Sequence, residues 1–223
     1  MLNKFSLYDF IAVIIPGIFF LWAIKAFVNI PILQQHIPLS GGITDTSVLI
    51  VVGYVSGLLL QGVSQHITER ILLWWWGGFP SARWLLPEDK RFTYKYKQEL
   101  SAVLQNKFDI DLNLNTTEQE SKNETLNRNQ EIFYRCYRSI EKTSDLPQIF
   151  NAQYGLFRSL LTTFILLMLL SGWKMIDSCF QIEAILLFIL FFFGTVISYW
   201  RVVKRADDFA KSVYDVFISH FGK

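Results

Sequence analysis

The sequence predicts an all-α membrane protein with four transmembrane helices and a small helical cytoplasmic module. Of its 223 residues, 52% are hydrophobic and only 18% are charged, whereas roughly 25% charged residues are typical of a soluble domain. The apolar residues are concentrated in four stretches, and nearly all Lys and Arg residues lie in the polar segments beside them. These observations assign the chain to the membrane and predict its orientation.

The four apolar stretches are predicted to cross the bilayer, because a helix needs about 20 residues to span the hydrocarbon core. They cover residues 10–28, 47–63, 156–176 and 184–200. The second stretch is the weakest, since Tyr54, Ser56 and Gln61 interrupt it, and a re-entrant segment is the alternative. In the third, Arg158 and Lys174 are expected to extend from the two ends toward the interfaces.

The distribution of basic residues predicts the topology. With four spans, every Lys and Arg except Lys25 and Lys174 falls on one side, and the positive-inside rule makes that side cytoplasmic. Both termini are then cytoplasmic. The predicted division is residues 1–63 for the first two spans, 64–155 for the cytoplasmic helical module, 156–200 for the last two spans, and 201–223 for a cytoplasmic C-terminal helix.

The polar segment is also predicted to be helical. The second span continues as a helix through residues 66–76, with three tryptophans at the headgroup belt, until Gly77 and Gly78 stop it. A helix follows at residues 99–108. After an exposed acidic loop, Ser121 and Glu124 fit a capping box that begins another helix. A further start signal near Pro147 predicts that the third span begins outside the membrane.

An apolar stripe follows the fourth span and predicts a C-terminal helix. Val202, Phe209 and Val216 recur at a spacing of seven, which is compatible with a coiled coil. The alternative is that this helix packs on its own cytoplasmic module.

The sequence contains no catalytic constellation. His36, His66 and His220 are scattered along the chain, and it has no zinc-protease, nucleophile-elbow, P-loop or dinucleotide-binding motif. Cys136 and Cys179 cannot build a metal site by themselves. We therefore expect neither an enzyme nor a bound cofactor.

Basic and aromatic residues alternate at positions 90–97, where the sequence is KRFTYKYK. Cations attract phosphates, and aromatic rings stack on bases. Residues 128–138 contain a second such set. The candidate residues for binding a nucleotide or single-stranded oligonucleotide are Arg91, Lys95, Arg135 and Arg138. The alternative is a solvated helix face with a buried aromatic side, and acidic and basic residues balance over the module.

The second span contains a G-x-x-x-G pair, Gly53 and Gly57, with Ser56 and Gln61 close to the same face. Small residues let helices approach closely, and buried hydroxyls and amides bond across them. Helix packing is one interpretation of this polar face. The alternative is that the same face lines a water-filled pore. Gly53, Ser56, Gly57 and Gln61 are therefore the candidate pore-lining residues of an oligomer.

The N-terminal run Leu7-Tyr8-Asp9-Phe10, followed by Pro16-Gly17 and Phe19-Phe20, resembles the start of small bacterial membrane proteins of anti-phage defence. The layout is similar to that of the channel-forming effector of the Hailong system. This resemblance implies a homo-oligomeric ion channel of the bacterial inner membrane that halts growth of the infected cell. It also implies control by a nucleic-acid signal and a partner enzyme that makes that signal.

The predicted function is an oligomeric pore of this kind, gated through the cytoplasmic module. A kink at Pro16-Gly17 is its candidate moving element. The alternative, from another class, is a non-conducting membrane anchor or assembly subunit whose cytoplasmic helices recruit a soluble partner.

Overall fold

The computed structural model describes residues 9–25, 43–112, 121–177 and 180–222. Several predicted features lie outside these ranges: Leu7 and Tyr8 of the N-terminal run, the end of the first predicted span, His36, the centre of the acidic loop, and Cys179. The side chains of residues 67–76, including the three tryptophans, are also outside what is described.

The fold is all-α, as predicted, with no strand in the described ranges. A π-helical turn, Asp9–Ile14, leads into α1. The α-helices are α1 (Ile15–Ala23), α2 (Ile43–Trp76), α3 (Pro80–Arg83), α4 (Tyr94–Phe108), α5 (Lys122–Ile140), α6 (Leu146–Asp177) and α7 (Ile182–Phe221).

Three helices are long and apolar enough to cross a membrane: α2 over Ser47–His66, α6 and α7. The protein is therefore all-helical with three candidate membrane spans, and even the stretch with polar interruptions is one of these helices. The apolar helix Phe10–Ala23 is shorter. It rises roughly 20 Å at 1.5 Å per residue, against a hydrocarbon core of about 30 Å.

The chain divides into two compact units. We call Met1–Arg70 with Asn151–Lys204 the apolar unit, and Ile71–Phe150 with Arg205–Lys223 the polar unit. The boundaries fall inside the three long helices α2, α6 and α7.

Backbone contact between helices characterises the apolar unit. A Cβ added to Gly17 would lie 1.9 Å from the carbonyl oxygen of Gly53, and one added to Gly57 would lie 2.0 Å from that of Val13. The N-terminal segment therefore packs on α2 at a distance that only glycine permits. It also contacts α6, where the hydroxyl of Ser159 donates to the carbonyl of Ala12 at 3.3 Å.

The polar unit is built around the C-terminal part of α7. Tyr214 and Phe217 are fully buried among apolar residues of α4 and α5. The Tyr214 hydroxyl donates to the carbonyl of Ser81 at 2.6 Å. Phe209 and Val216 pack against this core, so the apolar stripe of the C-terminal helix contacts its own unit, which is the second of the two predicted alternatives.

Local signals set the helix ends. The capping box is confirmed: the Ser121 backbone N–H donates to the Glu124 carboxylate at 3.1 Å, at the start of α5. Helix α2 ends before Gly77 and Gly78, which have φ values of 65° and 124°, in the region that favours glycine. Helix α4 begins earlier than predicted because Thr93 caps it, accepting from the Tyr96 N–H at 3.2 Å.

Candidate functional site

The polar unit contains an open cleft of about 430 Å³ where the start of α4 faces α7. Binding pockets for small molecules have volumes of about 300–1,000 Å³. The aromatic lining residues are Trp84, Phe92 and Tyr96, and the charged ones are Arg91, Asp207 and Lys211. Asp207 and Lys211 are four residues apart, so they lie on the same face of α7.

The aromatic side chains of the cleft pack closely against one another. The buried Phe92 ring lies edge-on to Trp84, with centroids 5.1 Å apart, and stacks on Tyr96 at 4.4 Å. The Tyr96 hydroxyl donates to the Asp215 carboxylate at 2.7 Å. Burial, followed by the hydrogen bond to Asp215, raises the pKa of Tyr96 far above its ordinary value. The Tyr96 phenol therefore stays neutral and fastens α4 to α7.

Arg91 reaches across the cleft to α7. Its Nη1 donates to the Asp207 carboxylate at 2.6 Å, and its guanidinium carbon lies 5.5 Å from the centroid of the Trp84 ring. The two charged side chains are 51% and 27% exposed. Burial raises the pKa of Asp207, and the neighbouring Arg91 opposes that shift. An ion pair this open to water contributes at most about 1 kcal/mol of stability.

Two further groups in the cleft lack partners in the described part of the chain. Lys211 is exposed and makes no ion pair there. Trp84 is only 4% exposed, and its indole N–H has no hydrogen-bond acceptor among the described residues. A buried donor left in this state costs about 1–3 kcal/mol. The cleft therefore has more positive than negative side chains.

Lys97 has a structural role beside this cleft. Its side chain is 2% exposed, and its ammonium donates to the backbone carbonyls of Leu86 and Asp89. Burial lowers the pKa of Lys97, while the nearby Asp89 and Glu88 carboxylates oppose that shift. The lysine thus fixes the turn between α3 and α4 that precedes Arg91.

The structure separates the predicted ligand residues. Arg91 lines the cleft. Lys95, Arg135 and Arg138 are exposed and are not among its lining residues. Sequence reasoning missed Trp84, Asp207 and Lys211, because no local pattern connects α7 with the segment before α4.

The predicted pore residues also differ in their surroundings. Gly53 and Gly57 are buried against the N-terminal segment of the same chain, which is the packing interpretation of the G-x-x-x-G pair. Ser56 and Gln61 are half-buried. Ser64, one turn further along α2, is fully buried and donates to the carbonyl of Gln61 at 2.8 Å.

Arg158 does not extend outward as expected. It is 5% exposed, with its guanidinium carbon 5.4 Å from the centroid of the Tyr154 ring. The buried hydroxyls of Thr162 and Thr163 on the next turn donate to backbone carbonyls of α6. The reason for the difference is that this end of the apolar stretch lies within the protein interior, so α6 has a buried polar face that the sequence did not reveal.

The fold is all-helical, with three helices long and apolar enough to span a membrane. No family model matches the chain, and neither the curated proteins nor the solved structures contain a significant match. Across the described ranges, no group of three His, Cys, Asp or Glu side chains is placed to hold a metal ion.

Proposed function

We propose that the protein is a homo-oligomeric, ligand-gated pore of a bacterial inner membrane. In this proposal the N-terminal helix forms a fourth span, both termini and the polar unit are cytoplasmic, and a nucleotide or oligonucleotide bound by the polar unit controls conductance. The excess of Lys and Arg on one side of such a topology supports the orientation. The role as an effector of anti-phage defence is supported by the resemblance of residues 7–20.

The observation that carries the proposal is the continuity of α7. This helix runs unbroken over Ile182–Phe221, and residues 184–200 contain no charged side chain. Its C-terminal part supplies Asp207 and Lys211 to the cleft and Tyr214 to the core. A ligand in the cleft therefore contacts the same helix that crosses the membrane. Gating follows if the ligand binds one position of that helix better than another.

The pore lining in this proposal comes from the polar face of α2. Ser56 and Gln61 are the primary candidates, because they are half-buried in the single chain and a neighbouring copy can face them. Gly53 and Gly57 join the lining only in a state where the N-terminal segment leaves α2. The Pro16-Gly17 segment is then the moving element, and its contact with Gly53 holds the closed state.

Single-channel conductance in planar bilayers tests the lining. Replacing Gln61 with Leu should change unitary conductance, since it removes a polar group from the lining. The matched control is Gln98→Leu, the same change at an exposed position of α4, and it should leave conductance unaltered. Equal conductance of Gln61→Leu, Gln98→Leu and the wild type would remove α2 from the pore. Absence of any current from oligomeric protein would favour the non-conducting anchor that recruits a soluble partner.

A further inference from the structure

We infer that the cleft of the polar unit is a competitive anion site, where a ligand that carries both a phosphate group and a planar ring binds with its phosphate between Arg91 and Lys211 and displaces the Asp207 carboxylate. This inference rests on the proposed function, because it specifies where the ligand of that function binds and what it must displace. It concerns a single cleft whose lining residues all belong to the polar unit.

Arg91 is the residue suited to bind the phosphate group. A guanidinium presents a planar fork of donors that matches the oxygens of phosphate. One of these donors is engaged by the Asp207 carboxylate at 2.6 Å. Lys211 lies one turn beyond Asp207 and has no ion-pair partner among the described residues. Two cations therefore face one carboxylate. Because the pair is open to water, an incoming phosphate can replace the carboxylate without unfolding the unit.

The aromatic lining residues are suited to contact the planar ring of the ligand. Trp84 holds the Arg91 guanidinium over its face, which orients the cation toward the cleft at little cost. Phe92 and Tyr96 form a packed pair beside it, and a planar ring can stack on such a surface.

This arrangement makes Asp207 an internal competitor of the ligand. Neutralising Asp207 should therefore strengthen anion binding, whereas neutralising Lys211 should weaken it. A purely structural ion pair predicts neither effect. The opposite signs expected from two residues on one helix face distinguish a binding site from a packing contact.

Calorimetric titration of the full chain in nanodiscs of zwitterionic lipid tests this inference. We expect adenosine monophosphate to bind, Asp207→Asn to lower its Kd by about tenfold, and Lys211→Gln to raise it by about tenfold, the range of a single charge-assisted contact. The binding of adenosine, which lacks the phosphate group, should be changed by neither substitution. The matched controls are Glu131→Gln and Lys142→Gln, which remove the same charges from exposed positions that do not line the cleft; both should bind like the wild type.

A free nucleotide and the phosphorylated end of an oligonucleotide both carry a phosphate group and a planar ring. A short DNA strand with a 5′ phosphate, compared with the same strand without it, separates these sources. Binding only of the phosphorylated strand would assign the site to strand ends, and binding of both the monophosphate and the phosphorylated strand would assign it to either source. Failure of both ligands to bind the Asp207→Asn and wild-type proteins at millimolar concentration would overturn the inference.

The failures of the two proposals can be told apart. Ligand-responsive ion flux without binding at this cleft would leave the pore standing and place its ligand elsewhere. Binding with the expected charge dependence, but without ion flux, would leave the site standing and remove the pore.

Discussion

Gly17 and Gly53 approach so closely that a Cβ on Gly17 would lie 1.9 Å from the Gly53 carbonyl oxygen. A side chain at position 17 therefore fits only if the N-terminal helix and α2 move apart. This contact joins the element proposed to move with the helix proposed to line the pore.

Replacing Gly17 with Ala should therefore destabilise the apolar unit. Overpacking typically costs about 1–3 kcal/mol, so the melting temperature in detergent should fall by at least about 2 °C. Gly62→Ala is the matched control, since a Cβ there meets nothing within 4 Å, and it should melt at or above the wild-type temperature. Equal melting of both variants would contradict the close packing of the N-terminal segment on α2.

The Tyr214 hydroxyl is a second test of the fold, this time of the polar unit. Tyr214→Phe removes the hydrogen bond to the buried Ser81 carbonyl, which should lower the free energy of unfolding by about 1–3 kcal/mol. Chemical denaturation in detergent measures the change. Tyr134 is 52% exposed, so Tyr134→Phe should be close to neutral. A Tyr214→Phe protein as stable as Tyr134→Phe would contradict the packing of α7 in this core.

Cys136 provides a test of burial through pH. Burial raises the pKa of its thiol from 9.0 to about 12, so the unfolded chain loses this proton at a lower pH than the folded chain. The contribution of the buried, protonated thiol to the free energy of unfolding is fully present below pH 9 and is lost as the pH rises toward 12. At neutral pH, the free energy of unfolding of Cys136→Ala should be lower than that of the wild type. Between pH 9 and 12 it should fall less steeply than the wild-type value. Parallel pH profiles would show that this thiol is not buried.

The two sequence-predicted cations near the start of α4 should differ in function. Arg91→Gln removes the guanidinium from the cleft and should abolish any response of ion flux to an oligonucleotide. Lys95→Gln removes an equal charge from an exposed position outside the cleft, and the response should persist. Ion-flux assays with both variants in liposomes make the comparison. Loss of the response in both would indicate a diffuse basic surface instead of this cleft.

Features governed by neighbouring residues could be predicted from the sequence. The capping box at Ser121 and Glu124 and the helix stop at Gly77 and Gly78 are local, because each involves residues within one turn. The apolar stretches were also predictable, since length and composition alone define a candidate span. For the same reason, the sequence predicted helix for the second stretch despite its polar interruptions.

The candidate site depends on contacts between distant segments, and these could not be predicted. Arg91 and Asp207 are 116 positions apart, and only the fold brings α7 to the start of α4. The basic-aromatic pattern at residues 90–97 includes Arg91, which lines the cleft, but it gave the buried Lys97 no separate role. Likewise, the G-x-x-x-G pair indicated close packing on α2, but nothing local identified the N-terminal segment as its partner.

The central claim is a pore that responds to a ligand, and ion flux through liposomes carrying the purified protein tests it most directly. Flux should differ between samples with and without short 5′-phosphorylated oligonucleotides, and the difference should disappear in Arg91→Gln. Absence of flux under every condition, from protein shown to be oligomeric in the same liposomes, would contradict the account.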